Sequence, residues 1–138
     1  MTDAQKFEKF KENLIKENEK KYGAEIREKY GDKVADKSNA KLMGLTQEQY
    51  EQSENLRIEC ESALKLAVET GDFSGELARK ACDLHRRWLC FFNPDYSKEY
   101  HRNLGEMYVS DERFKAYYEK IAEGCTEFLR DALKVYCV

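Results

Sequence analysis

The chain has 138 residues, 37% of them charged, and a net charge of only −3. That length supports one domain with a real core, and a charge so balanced lacks the basic stripe of a nucleic-acid binder. No apolar run is long enough to span a bilayer, and the residues after Met1 lack the basic-then-apolar order of a signal peptide, so a cytoplasmic location is expected.

Apolar residues recur at helical spacing and strand-like alternation is scarce, which predicts an all-α chain of about six or seven helices. The first helix, about 3–22, carries Phe7, Phe10 and Leu14 on one face and Lys or Glu almost everywhere else. So thin a stripe buries little and holds a helix only marginally. Gly23 interrupts the pattern, Glu25–Tyr30 resumes it, and Gly31 ends it. A short helix follows Asp32 through Val34 and Ala35, and Gly44 with Leu45 marks a loop.

Thr46-Gln-Glu-Gln49 reads as a capping box, opening a helix to about Thr70 that buries Tyr50, Leu56, Cys60, Leu64 and Ala67. Ser74 is the next expected N-cap. From there to Phe92 run two apolar stripes, Leu77, Ala81, Leu84, Trp88, Phe91 and Ala78, Cys82, Leu89, Phe92, as on a central helix packed on two sides. Asn93-Pro94 breaks it, because the residue before proline avoids the α region. Ser97 then caps a helix to about Val109 and Ser110 caps another to Ala122. Gly124 precedes a last helix, about 125–137, burying Phe128, Leu129, Ala132, Val135 and Tyr136.

The five cysteines are odd in number and none stands at C-x-x-C spacing, so buried reduced thiols are expected rather than a disulfide framework. His85 stands three residues after Cys82 on one helical face, half of a metal site, but no second pair supplies the other ligands, and no metal is expected. His85 reads instead as a partly buried histidine with one hydrogen-bond partner. His101 could titrate, bond a ligand, or serve structure. Cys90 and His85, five residues apart on one helix, point about 140° away from each other and cannot share a proton locally. With no phosphate loop, paired acidic motif or nucleophile elbow either, no enzyme is expected. What remains is a density of rings from Trp88 to Tyr118, gathered around the Asn93-Pro94 break and the Ser110 turn. They either fill a core or line a cleft where helices meet at angles.

Several segments carry a resemblance: Lys6–Glu8, Tyr30–Asp32, SNAKLMGLTQEQY at Ser38–Tyr50, the His85 to His101 spacing, HRNLGEMYVSDERF at His101–Phe114, and YYEKIAEGCTEFLRDAL at Tyr117–Leu133. On these the chain resembles the TipAS-type antibiotic-recognition domain, found at the C-terminus of MerR-type transcriptional regulators. LGEMYVSDERF is the most specific of them.

The resemblance implies a globin-like helical arrangement with a ligand cleft and no cofactor. It further implies an effector-binding, drug-sensing role toward large multi-ring apolar antibiotics such as thiopeptides. Binding residues are expected among His85, Trp88, Leu89, Phe92, Tyr96, Tyr100, His101, Leu104, Met107, Tyr108, Phe114, Tyr117 and Tyr118. DNA would be reached only through a separate winged-helix domain absent from this chain, in a regulator expected to be a homodimer, with no membrane partner. Thiopeptide-trapping members carry cysteines where this chain has Tyr96 and Asn103, so non-covalent binding is expected here. Within one domain, residues 1–45 are expected to form a lid and residues 46–138 the binding body. A free-standing protein that sequesters an antibiotic is the alternative.

Overall fold

The computed structural model describes every residue, Met1–Val138, and it is all-α. The chain divides into two compact units, one of Met1–Gln52 with Cys90–Pro94 and one of Ser53–Leu89 with Asp95–Val138. No helix is long and apolar enough to cross a membrane.

In the first unit, α1 (Asp3–Asn18) opens on a reciprocal cap. The Gln5 amide N–H donates to Thr2 Oγ1 at 3.2 Å, and the Thr2 N–H donates to Gln5 Oε1 at 2.8 Å. The expected interruption at Gly23 does not occur. A π turn, Glu19–Gly23, carries the helix without a break into α2 (Ala24–Tyr30). The glycine serves a side chain instead of ending a helix: a Cβ on Gly23 would stand 2.1 Å from Glu19 Oε2. Glu19 folds over that gap to accept from Arg27 Nη2 at 2.6 Å, Arg27 Nε at 3.2 Å and Asn39 at 2.9 Å. Gly31, at φ +88, ends α2 in a conformation that suits glycine. Then α3 (Asp32–Met43) runs to Gly44.

The apolar stripe of α1 packs on Tyr50, whose ring lies 6.2 Å from Phe7 and 5.4 Å from Phe10, but its burial is incomplete. Phe10 is 45% exposed, and Lys11 is the one fully buried residue of the helix. Its ammonium donates to the carbonyls of Met43, the last residue of α3, at 2.6 Å and of Leu45 just beyond it at 2.9 Å. It also pairs with Glu8 at 2.8 Å and lies 4.7 Å above the Phe7 ring. A charge can be buried on such terms because acceptors replace the water it loses.

The capping box at Thr46 forms as expected and opens α4 (Gln47–Thr70). In the second unit α4 buries Ser53, Cys60, Ala63, Leu64 and Ala67, whereas Leu56 is only half-buried. Ser74 caps nothing: its N–H donates to Asp72 Oδ1 at 3.0 Å, and α5 (Glu76–Leu89) starts after Gly75. Helix α5 buries Ala78, Ala81, Cys82, Leu84, His85 and Leu89 but leaves Leu77 exposed. It stops three residues short of Phe92. Cys90–Phe92 form a turn in the first unit, where Lys41 Nζ donates to the Cys90 carbonyl and so occupies an acceptor that a longer helix would use.

Ser97 caps α6 (Lys98–Ser110) as expected, its Oγ accepting from the Tyr100 N–H at 3.0 Å. The next cap falls one residue later than expected. Ser110 stays helical and donates back to the Met107 carbonyl at 3.1 Å, so Asp111 caps α7 (Glu112–Glu119) through the Arg113 N–H at 2.9 Å. Gly124 at φ +82 leads into α8 (Cys125–Tyr136). The Glu119 carboxylate accepts there from the N–H groups of Gly124 and Thr126 and from the Thr126 hydroxyl at 2.7 Å. Helix α8 buries Leu129, Ala132 and Leu133, while Val135, expected inside, is exposed. The unbroken run through the π turn counted once, the chain has the seven helical runs expected at most.

A buried histidine pair within a tyrosine cluster

Three helices and a loop of the second unit bring seven of the expected residues together. His85 projects from α5 and is 2% exposed, and His101 projects from the first turn of α6 and is fully buried. His85 Nδ1 lies 2.7 Å from His101 Nε2. The two rings are within 10° of parallel with centroids 4.9 Å apart. Parallel rings that far apart, with nitrogens that close, meet edge to edge along an in-plane hydrogen bond instead of stacking face to face.

The outer nitrogens are also engaged. Tyr96, in the loop before α6, places its hydroxyl 2.7 Å from His101 Nδ1. On the far side, the hydroxyls of Tyr108 on α6 and Tyr118 on α7 each stand 3.4 Å from His85 Nε2. His85 is therefore not the partly buried, singly bonded residue that its position suggested, but a buried link in a chain Tyr96–His101–His85–Tyr108/Tyr118. Every buried side-chain polar atom has a partner.

Burial makes this pair neutral. Loss of solvation pushes the His85 imidazolium well below its usual range, and the adjacent His101 adds to the effect. Burial likewise pushes His101 down to about 4, assisted by Arg86. At neutral pH each ring thus carries one N–H, and a single hydrogen joins them. Burial also drives the Tyr118 phenol well above its ordinary value, so it stays protonated.

Rings surround the chain. Tyr108 lies 4.8 Å from Tyr118 and 5.1 Å from Phe114, and Trp88 stands one helical turn along α5 from His85 at 5.7 Å. Leu89, Leu104 and Met107 are buried. Trp88, Tyr96, Tyr100 and Phe114 are half-buried. Tyr117 sits at the edge, its ring 5.2 Å from Tyr118 and its hydroxyl donating to Glu61 of α4 at 3.0 Å. Phe92 belongs to the first unit. Sequence reasoning missed Tyr136 of α8, whose ring meets His101 edge-on at 6.0 Å and whose hydroxyl donates to Asp83 at 2.9 Å. The spacing placed it on a buried face, but nothing local could aim it at a residue 35 positions earlier.

No three His, Cys, Asp or Glu side chains converge around a common point. All five cysteines are free, four of them buried, as expected. Burial raises Cys60, Cys82 and Cys125 to about 12, far from thiolate formation at neutral pH.

Comparison with known proteins places these features in a family. The TipAS antibiotic-recognition domain matches residues 22–136. The HTH-type transcriptional activator mta of Bacillus subtilis is 26% identical over 126 residues, covering 89% of this chain and 48% of that protein. The HTH-type transcriptional activator TipA of Streptomyces coelicolor is 31% identical over 114 residues, covering 81% of this chain and 45% of that protein. The chain thus spans about half the length of the curated relatives it matches. No solved structure matches significantly. The helical architecture agrees with the globin-like fold of the matched domain, and by that match the chain belongs to the TipAS antibiotic-recognition domain family.

Proposed function

We infer that this chain is the effector-binding domain of a MerR-type transcriptional activator, acting in the cytoplasm, and that its ligands are large multi-ring apolar antibiotics of the thiopeptide kind. The observation that carries this reading is the set of half-buried rings, Trp88, Tyr96 and Phe114, beside a closed polar centre, in a chain of the TipAS family. Ring faces gain from stacking against other rings. A few hundred Å² of apolar contact at about 25 cal/mol per Å² amounts to several kcal/mol.

Binding is non-covalent in this reading. Tyr96 stands where thiopeptide-trapping members have a cysteine, and the buried thiols are protonated. Ligand energy is spent on ordering segment 1–45, whose first helix has no fully buried apolar residue. In a longer regulator that ordering would alter the geometry of a DNA-binding domain preceding this one and so switch transcription.

A thermal-shift screen of the chain against thiopeptides, other multi-ring antibiotics and cationic dyes tests the reading. A rise of several degrees for one class, with a change in the fluorescence of Trp88, the sole tryptophan, supports it. No shift with any class rejects it.

A further inference from the structure

The hydrogen-bond chain through the two histidines has two ends, and they compete. A neutral imidazole has one N–H and one bare nitrogen. If His101 supplies the hydrogen between the rings, its Nδ1 accepts from Tyr96 and His85 Nε2–H is aimed at Tyr108 and Tyr118. If His85 supplies it, every bond runs the other way: a phenol donates to His85 Nε2, and His101 Nδ1–H donates to Tyr96. Both arrangements hold the same number of hydrogens, one on each ring and one on each phenol.

A phenolic hydroxyl is a stronger acid than a neutral imidazole N–H, and an imidazole nitrogen accepts better than a phenol oxygen. Each end therefore favours tyrosine donating inward, and only one end can have it. The Tyr96 contact is 2.7 Å. The Tyr108 and Tyr118 contacts are 3.4 Å, at the weak limit for O–H···N. The Tyr96 end wins.

We propose that Tyr96 is the positioning residue that sets the tautomer of His85 from two hydrogen bonds away, holding both histidines as Nε2–H. His85 then presents a donor, not an acceptor, to the phenols of α6 and α7. A ligand group that accepts the Tyr96 hydrogen would release His101 Nδ1 and reverse the chain, drawing Tyr108 or Tyr118 inward to donate to His85. This last step rests on the ligand-binding reading above, whereas the resting tautomer does not.

Imidazole 15N NMR of the whole chain at pH 7.5 tests it directly, because the protein has only two histidines. Both are expected as Nε2–H in the unmodified protein. In Tyr96→Phe, His85 is expected to change over to Nδ1–H, while in Tyr118→Phe both rings keep Nε2–H. Nδ1–H on His85 in the unmodified protein, or an unchanged tautomer in Tyr96→Phe, overturns the proposal. A changeover in Tyr118→Phe does so too, and that variant decides the matter if Tyr96→Phe fails to fold. The measurement is made without ligand, so its failure is distinct from a failed ligand screen.

Discussion

A Cβ on Gly105 would stand 3.2 Å from the Cα of Arg130 and 3.1 Å from Leu133 Cδ1. The glycine of the LGEMYVSDERF segment is therefore where α6 and α8 cross at backbone contact, and a rigid backbone atom cannot step aside as a side chain can. Alanine improves helix propensity by about 1 kcal/mol. Overpacking a close crossing costs about 1–3 kcal/mol. Gly105→Ala is expected to lower the urea midpoint and Tm, with the steric cost prevailing. An unchanged or higher Tm would show that the crossing is loose.

The histidine pair makes stability depend on pH in a defined window. His101 binds its proton at about 4 when folded and near 6.5 when unfolded. Between those values the unfolded chain holds the proton and the native one does not, so stability is complete above pH 6.5 and falls as the pH drops toward 4. For His101 alone the full effect is about 3 kcal/mol, and His85 acts in the same direction. Urea midpoints at pH 7.5, 6.0 and 5.0 should decline in that order, before carboxylates such as Glu19 and Glu119, which are held below their ordinary range, begin to protonate. A flat profile from 7.5 to 5.0 contradicts the neutral buried pair.

Lys11 should matter more to α1 than its phenylalanines do. In Lys11→Met the stem is replaced, but the carbonyls of Met43 and Leu45 lose their donor. A hydrogen bond to a charged group contributes about 1.5–3 kcal/mol. Amide exchange is expected to accelerate across α1 by an order of magnitude or more, with Phe10→Ala producing a smaller change. Equal protection in Lys11→Met and the unmodified chain would count against the anchor.

Thiol labelling separates Cys90 from the other four. It lies half-buried in the turn after α5, whereas Cys60, Cys82, Cys125 and Cys137 are buried. A disulfide reagent at neutral pH should label one equivalent quickly in the folded protein and five after denaturation. Cys90→Ser should remove the fast phase. Rapid labelling of several thiols would mean that the helices open more easily than their packing implies.

The helical class, the caps at Thr46 and Ser97, and the breaks at Gly31 and Gly124 were legible in the sequence, because each depends on residues within a few positions of one another. The TipAS kinship was legible for a related reason, since a linear segment such as LGEMYVSDERF carries it. Local rules misread Gly23 because the side chain that needs the space, Glu19, is held by Asn39, 20 residues away. They gave no sign that Lys11 is buried, since the carbonyls that make a buried ammonium tolerable lie 32 and 34 residues further on.

The ring-rich stretch from Trp88 to Tyr118 could be listed from the sequence, but its order could not. Only the packing of α5 and α6 on α8, with α7 against both α6 and α8, brings His85 to His101 at 2.7 Å and sets a tyrosine at each end. Sequence by itself determines which segments become helices, because a helix is closed by bonds four residues apart. The tertiary fold alone decides which polar groups meet after water is excluded, because that depends on distances between residues that no local spacing controls.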